Sequence, residues 1–187
     1  MLKTIKNGAA IVLVAVYVLD LLWSLFQGGS ILLGLLLLAG PTAVLLYLLT
    51  QDKEYKIKNG LLPFGFGVLS LLNVPALVLT LVDLKGLFAD PQAAWSMILN
   101  AVCSFAIVLC FLGTLFPPKP LLPIGSLLYL LAGGALLIWA IGSVGSLAQA
   151  AATDLSVLVG YFSSLLFYLG VFLFSLKPTS SADNRST

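Results

Sequence analysis

The chain has 187 residues, 60% of them hydrophobic and 9% charged, with a net charge of +2 and a mean hydropathy of +1.13. A soluble domain carries about 25% charged residues, so this chain cannot cover itself with polar surface in water and takes lipid as its solvent. The near-neutral charge points away from nucleic acid, and the absence of histidine removes most metal and nucleophile–base chemistry.

Spanning a bilayer core takes about 20 helical residues. Six segments meet that need: Ala9–Phe26, Ser30–Thr50, Leu61–Val82, Ala93–Phe116, Leu121–Leu147 and Leu155–Leu176. The start, Met1-Leu-Lys-Thr-Ile-Lys6, looks like that of a signal peptide but leads to no Ala-x-Ala site, so the first segment is expected to stay as a span. Gln27-Gly28-Gly29 reads as a tight turn, and Gln51 to Asn59 as the one charged loop. Asp90-Pro91 is a helix start, with Asp as N-cap and Pro at the first helical position. Pro117-Pro118 and Pro178 stop helices, and Thr153-Asp154 is expected to cap the sixth. The fifth segment exceeds the need, which predicts a tilt or a late start near Ile124. Gly40-Pro41 and Asn73-Val74-Pro75 interrupt the second and third segments, where proline removes a backbone donor and predicts kinks.

One motif comes back. Leu61-Leu62-Pro63-Phe64-Gly65 returns as Leu121-Leu122-Pro123-Ile124-Gly125. Leu109-Cys110-Phe111-Leu112-Gly113 resembles Leu166-Phe167-Tyr168-Leu169-Gly170, and Lys6-Asn7-Gly8 foreshadows Lys58-Asn59-Gly60. These matches predict an all-α, polytopic membrane protein of six transmembrane helices, arranged as three tandem helical hairpins. The hairpins cover 6–58, 59–120 and 121–178 within one domain, 1–178, followed by a short polar cytoplasmic tail, 179–187. Three tandem two-helix units are also the plan of mitochondrial carriers. Their Pro-x-acidic-x-x-basic signature is missing from every unit, so the chain is not assigned to that family.

With six spans both termini share one side of the membrane. Eight of the nine Lys and Arg fall on that side, and only Lys85 falls on the other. By the positive-inside rule the chain is a multi-pass protein of the cell membrane with both termini cytoplasmic. Trp23, Trp95 and Trp139 then lie in the outer half, as interfacial indoles do.

Asp20 is the one carboxylate well inside a span, and no basic residue inside any span can pair with it. An intramembrane ionisable group is a functional candidate by default. It sits about seven residues from the outer end of its helix, roughly 10 Å deep. Tyr17 and Ser24 share its face. Asn100 lies at a similar depth in the fourth span and starts a stripe with Cys103 and Ser104. Asp20, Tyr17, Asn73, Asn100 and Ser104 therefore form the candidate intramembrane polar cluster. Asp20 is expected to face the interior and bond Asn100, Ser104 or Tyr17. Small residues at a spacing of four, Gly142 and Ser146, then Ser156, Gly160 and Ser164, read as packing faces.

No zinc motif, Ser-His dyad, phosphate-binding loop or acidic Mg²⁺ cluster occurs, and no second carboxylate pairs with Asp20. The chain is therefore read as no enzyme, with no catalytic, cofactor-binding or metal-binding residue and no cofactor. Two functions from different classes remain. One is a non-enzymatic membrane protein acting through helix contacts, as an accessory subunit, assembly factor or immunity-type protein. The other is a small-solute or ion transporter or channel using the cluster around Asp20. Its partners would be the lipid bilayer and either a membrane-protein partner or further copies of itself, as a homo-oligomer.

Overall fold

In lipid every backbone N–H and C=O must be satisfied within the chain, which favours long uninterrupted helices. The computed structural model describes residues 2–27, 31–50, 58–82, 91–116, 121–143 and 152–176, and all six stretches are helical. They are α1 (Leu2–Phe26), α2 (Ile31–Leu49), α3 (Lys58–Val82), α4 (Pro91–Leu115), α5 (Leu121–Ser143) and α6 (Ala152–Ser175). Each contains a stretch long and apolar enough to cross a bilayer, and no strand occurs among the described residues. The chain is an all-α, six-span, multi-pass membrane protein.

Some boundaries differ from expectation. α1 begins at Leu2, so the basic opening segment is itself helical. α5 starts at Leu121 rather than near Ile124, and its described part runs to Ser143. Pro123 causes no late start because proline in the first turn sacrifices a donor that has no partner there anyway. α6 begins at Ala152, which places Thr153 and Asp154 inside its first turn instead of ahead of it. α4 begins at Pro91 as expected. The turn at Gly28-Gly29, the loop 51–57, Asp90, Pro117-Pro118, Ser146 and the tail lie outside the described residues. Pro41 and Pro75 sit inside continuous helices, so neither splits its helix in two.

The six helices pack as a ring in chain order, each against its neighbours in sequence, and α6 closes on α1. Side chains from every helix fill the ring's axis in the half that carries the termini. Val14, Val44, Phe66, Cys110, Leu122 and Phe167 belong to that one core. In the opposite half burial fades. No residue of α1 or α2 between Leu19 and Ala39 is buried, nor any described residue of α3 or α4 between Leu71 and Val102. Only α5 and α6 keep buried positions there, at Leu136, Ala140 and Leu158. Trp23, Trp95 and Trp139 all lie in this half and are exposed.

Glycines of the recurring motifs set the closest approaches. A Cβ on Gly65 would lie 2.7 Å from the Gly40 carbonyl oxygen and 2.8 Å from Val44 Cγ2. A Cβ on Gly125 would lie 2.8 Å from the Ala106 carbonyl oxygen and 2.8 Å from the Cys110 nitrogen. The two matched glycines thus each meet a carbonyl and the residue four positions on, in the preceding helix. Gly113 presses on Leu121-Leu122 at the start of α5, and a Cβ on Gly170 would lie 2.9 Å from the Ala10 carbonyl oxygen of α1.

Candidate functional site

α1 and α6 run antiparallel, and two bonds fix their register. At the end carrying the termini, Lys6 Nζ donates to the carbonyl of Leu176. About 20 Å further along, Ser163 Oγ donates to Asp20 Oδ2 at 2.7 Å. Ser163 is 3% exposed. Asp20 therefore faces a neighbouring helix, and its partner is on α6.

One turn from Asp20, the Tyr17 ring packs on Phe167 with centroids 5.1 Å apart. Phe167 meets Tyr168 edge-on at 5.0 Å and faces Phe66 of α3 at 6.3 Å. Tyr168 stacks on Tyr129 of α5 at 3.7 Å, and the Tyr129 hydroxyl lies within hydrogen-bonding reach of Ser164. The side chain of Tyr47 from α2 meets Phe174 edge-on at 5.7 Å. A band of aromatic rings thus closes the axis on the terminal side of Asp20.

The other expected members of the cluster lie elsewhere. Asn73 Nδ2 donates to the Leu69 carbonyl of its own helix at 2.8 Å. Asn100 is exposed, and its Nδ2 donates to the Ser96 carbonyl at 2.9 Å. Ser104 is buried on α4, which does not neighbour α1 in the ring. The expected Asp20–Asn100 and Asp20–Ser104 contacts are not formed. Equal depth is one coordinate, and the ring order is the other: α1 meets α2 and α6, whereas α4 meets α3 and α5. Sequence reading passed over Ser163, Tyr129 and Tyr168. The signal for Ser163 was its place in the same small-residue face as Gly160 and Ser164.

The expected packing faces fare differently from the motif glycines. Gly142 is exposed, and a Cβ on Gly142 or Gly160 would meet nothing within 4 Å. Ser156 is exposed, and Ser164 Oγ bonds the Tyr161 carbonyl of its own helix at 2.8 Å. Gly142 and Gly160 leave room beside them within the chain. The tight contacts fall at Gly40, Gly65, Gly113, Gly125 and Gly170 instead.

Cys103 and Cys110 are buried free thiols, and Cys110 Sγ lies 3.8 Å from the Leu122 carbonyl oxygen. No group of three potential metal-ligating side chains occurs among the described residues. Two apolar grooves open on the bundle's flank. One, of about 350 Å³, lies between α2 and α3 and is lined by Leu35, Leu38, Thr42, Leu46 and Phe64. The Thr42 Oγ1 within it is buried without a hydrogen-bond partner. The other, of about 380 Å³, lies between α3 and α4 beside Thr80, Ile98 and Phe105.

What this arrangement offers chemically is limited: one carboxylate held by one hydroxyl, beside a phenol ring and above an aromatic floor. No family model matches the chain, no curated protein matches it, and no solved structure matches its fold.

Proposed function

We propose that the protein is a non-enzymatic integral membrane component that works through helix contacts, as an accessory subunit, assembly factor or immunity-type protein. It sits in the cell membrane with both termini cytoplasmic, because with six spans eight of its nine Lys and Arg fall in the sequence segments on the same side as the termini. The observation that carries the functional reading is how the intramembrane polar groups are used. Asp20 is taken by Ser163, and Asn73 and Asn100 are taken by carbonyls of their own helices. A conducting path needs polar groups in line along the axis, and here the axis holds Phe66 and Phe167. The free surfaces are apolar helix faces, where a second helix from a partner or another copy could pack.

A second reading, a small transporter or channel, draws on a different observation. Burial ends near the level of Asp20, and the far halves of α1 to α4 are bare. A carboxylate at the floor of an open half is the placement an ion or solute site would need.

Purification in a gentle detergent followed by mass spectrometry of the intact assembly separates the two. A stoichiometric protein partner, or a defined homo-oligomer without small-molecule cargo, supports helix-contact function. A monomer carrying a bound solute, lost in Asp20→Asn, supports transport and overturns the first reading.

A further inference from the structure

The three seams that meet at the terminal end of the ring are not alike. There α2 and α3 are consecutive in the chain, as are α4 and α5, whereas α6 and α1 are not. The contacts of the α6/α1 seam nevertheless follow those of the repeat. Gly113 meets Leu121-Leu122, and Gly170, its counterpart in the repeated motif, meets Ala10, Leu13 and Val14. By the Lys-Asn-Gly and Leu-Leu-Pro matches, Ala10 is the counterpart of Leu62 and hence of Leu122, and all three are buried. The ring is thus closed by a seam whose contacts resemble those between consecutive helices, although α6 and α1 are not consecutive.

Among the described residues, the charged contacts fall at that seam. Lys6 and Asp20 are the charged residues whose side chains the structure describes, and both bond across α6/α1. The matched positions of the other seams are apolar: Asp20 corresponds to Leu72 and Ala132, and Ser163 to Ala106. On other seams Ser70 bonds the Ile107 carbonyl at 3.4 Å, Cys110 approaches the Leu122 carbonyl at 3.8 Å and the Tyr129 hydroxyl reaches Ser164, and none of these carries a charge. Parting α1 from α6 would turn Asp20 toward lipid, which is costly for a carboxylate. Its bond to Ser163 therefore biases the ring toward closure.

We propose that α6/α1 is the opening seam of the ring, and that Asp20 with Ser163, supported by Lys6 at the terminal end, is its latch. The α2/α3 and α4/α5 seams act as fixed joints because each joins helices consecutive in the chain. A latch of this kind serves either function proposed above, since a partner helix or a solute gains entry where the ring parts.

Electron–electron distance measurements in lipid nanodiscs test this, on full-length protein with Cys103→Ala and Cys110→Ala. Spin labels at Val16→Cys and Phe162→Cys report on α6/α1, and labels at Leu36→Cys and Leu71→Cys on α2/α3; all four positions are exposed. Asp20→Leu should add a longer, broader component across α6/α1 and leave the α2/α3 distribution unchanged. An unchanged α6/α1 distribution overturns the latch. Equal broadening of both seams also overturns it, since that marks general loosening. Should Asp20→Leu fail to fold, Ser163→Ala is read by the same two criteria.

Discussion

Gly40 and Gly65 touch backbone to backbone across the α2/α3 seam. A Cβ on either one would come within 2.7 to 2.9 Å of the other's carbonyl oxygen. A carbonyl in a membrane helix cannot swing aside, because it is held by its own helical bond. Gly65→Ala must therefore push the helices apart, at a cost of about 1–3 kcal/mol. Gly125→Ala, against Ala106 and Cys110, should cost a similar amount. Gly134→Ala is the control, because a Cβ there meets nothing within 4 Å. It should be neutral, or stabilising by up to about 1 kcal/mol from helix propensity. Thermal unfolding in detergent, followed by loss of monodispersity, gives the ranking. A Gly65→Ala variant as stable as Gly134→Ala would show that the seam is looser than drawn.

Phe167 should be the costliest single truncation in the core. It is 1% exposed and meets Tyr17, Phe66 and Tyr168, rings from three helices. Phe167→Ala leaves a cavity that these rigid rings cannot collapse into, for a loss of about 3–5 kcal/mol. Phe162 is 55% exposed on the same helix, and Phe162→Ala should change stability far less. Measuring both by denaturant titration in mixed micelles checks the difference. Comparable losses would place Phe167 outside the core.

The span count was legible because hydrocarbon imposes length and apolarity on every crossing segment. The contact glycines were legible through recurrence. Gly65 and Gly125 close the motif Leu-Leu-Pro-x-Gly, and both touch the preceding helix. At Gly142 and Gly160 the chain itself brings nothing close, because small residues at a spacing of four allow close approach without requiring it. Asp20 was legible as the interior carboxylate, but its partner was not. Depth follows from counting residues, whereas adjacency follows from how the ring closes, and nothing local in α1 specifies α6. Tyr129 and Tyr168 were not singled out as site residues because each, taken alone in its helix, is an ordinary amphipathic aromatic.

The charge bias makes a topological prediction. Single cysteines in a Cys103→Ala, Cys110→Ala background should react with an impermeant thiol reagent from outside when placed at 89–92 or 148–152. One at Tyr55 or in the tail should react only after lysis. Labelling of Tyr55→Cys in intact cells would invert the orientation.

The Asp20–Ser163 pair admits a double-mutant cycle with a functional branch. Interhelical hydrogen bonds in membranes average about 0.6 kcal/mol and reach about 1.7 kcal/mol. Ser163→Ala and Asp20→Leu should each destabilise, with the pair showing a coupling in that range. A coupling of zero would mean that the 2.7 Å contact contributes nothing to the fold. Asp20→Asn separates structure from chemistry, since the amide oxygen still accepts from Ser163 Oγ but the group can no longer exchange a proton. If helix contact is the function, Asp20→Asn should fold, keep its partner and retain full biological activity. If Asp20 handles a proton or cation, the same variant should fold and keep its assembly while activity is lost. Measuring stability, assembly and activity on that one variant decides between them. Loss of activity alone would overturn the helix-contact reading and leave the latch in place.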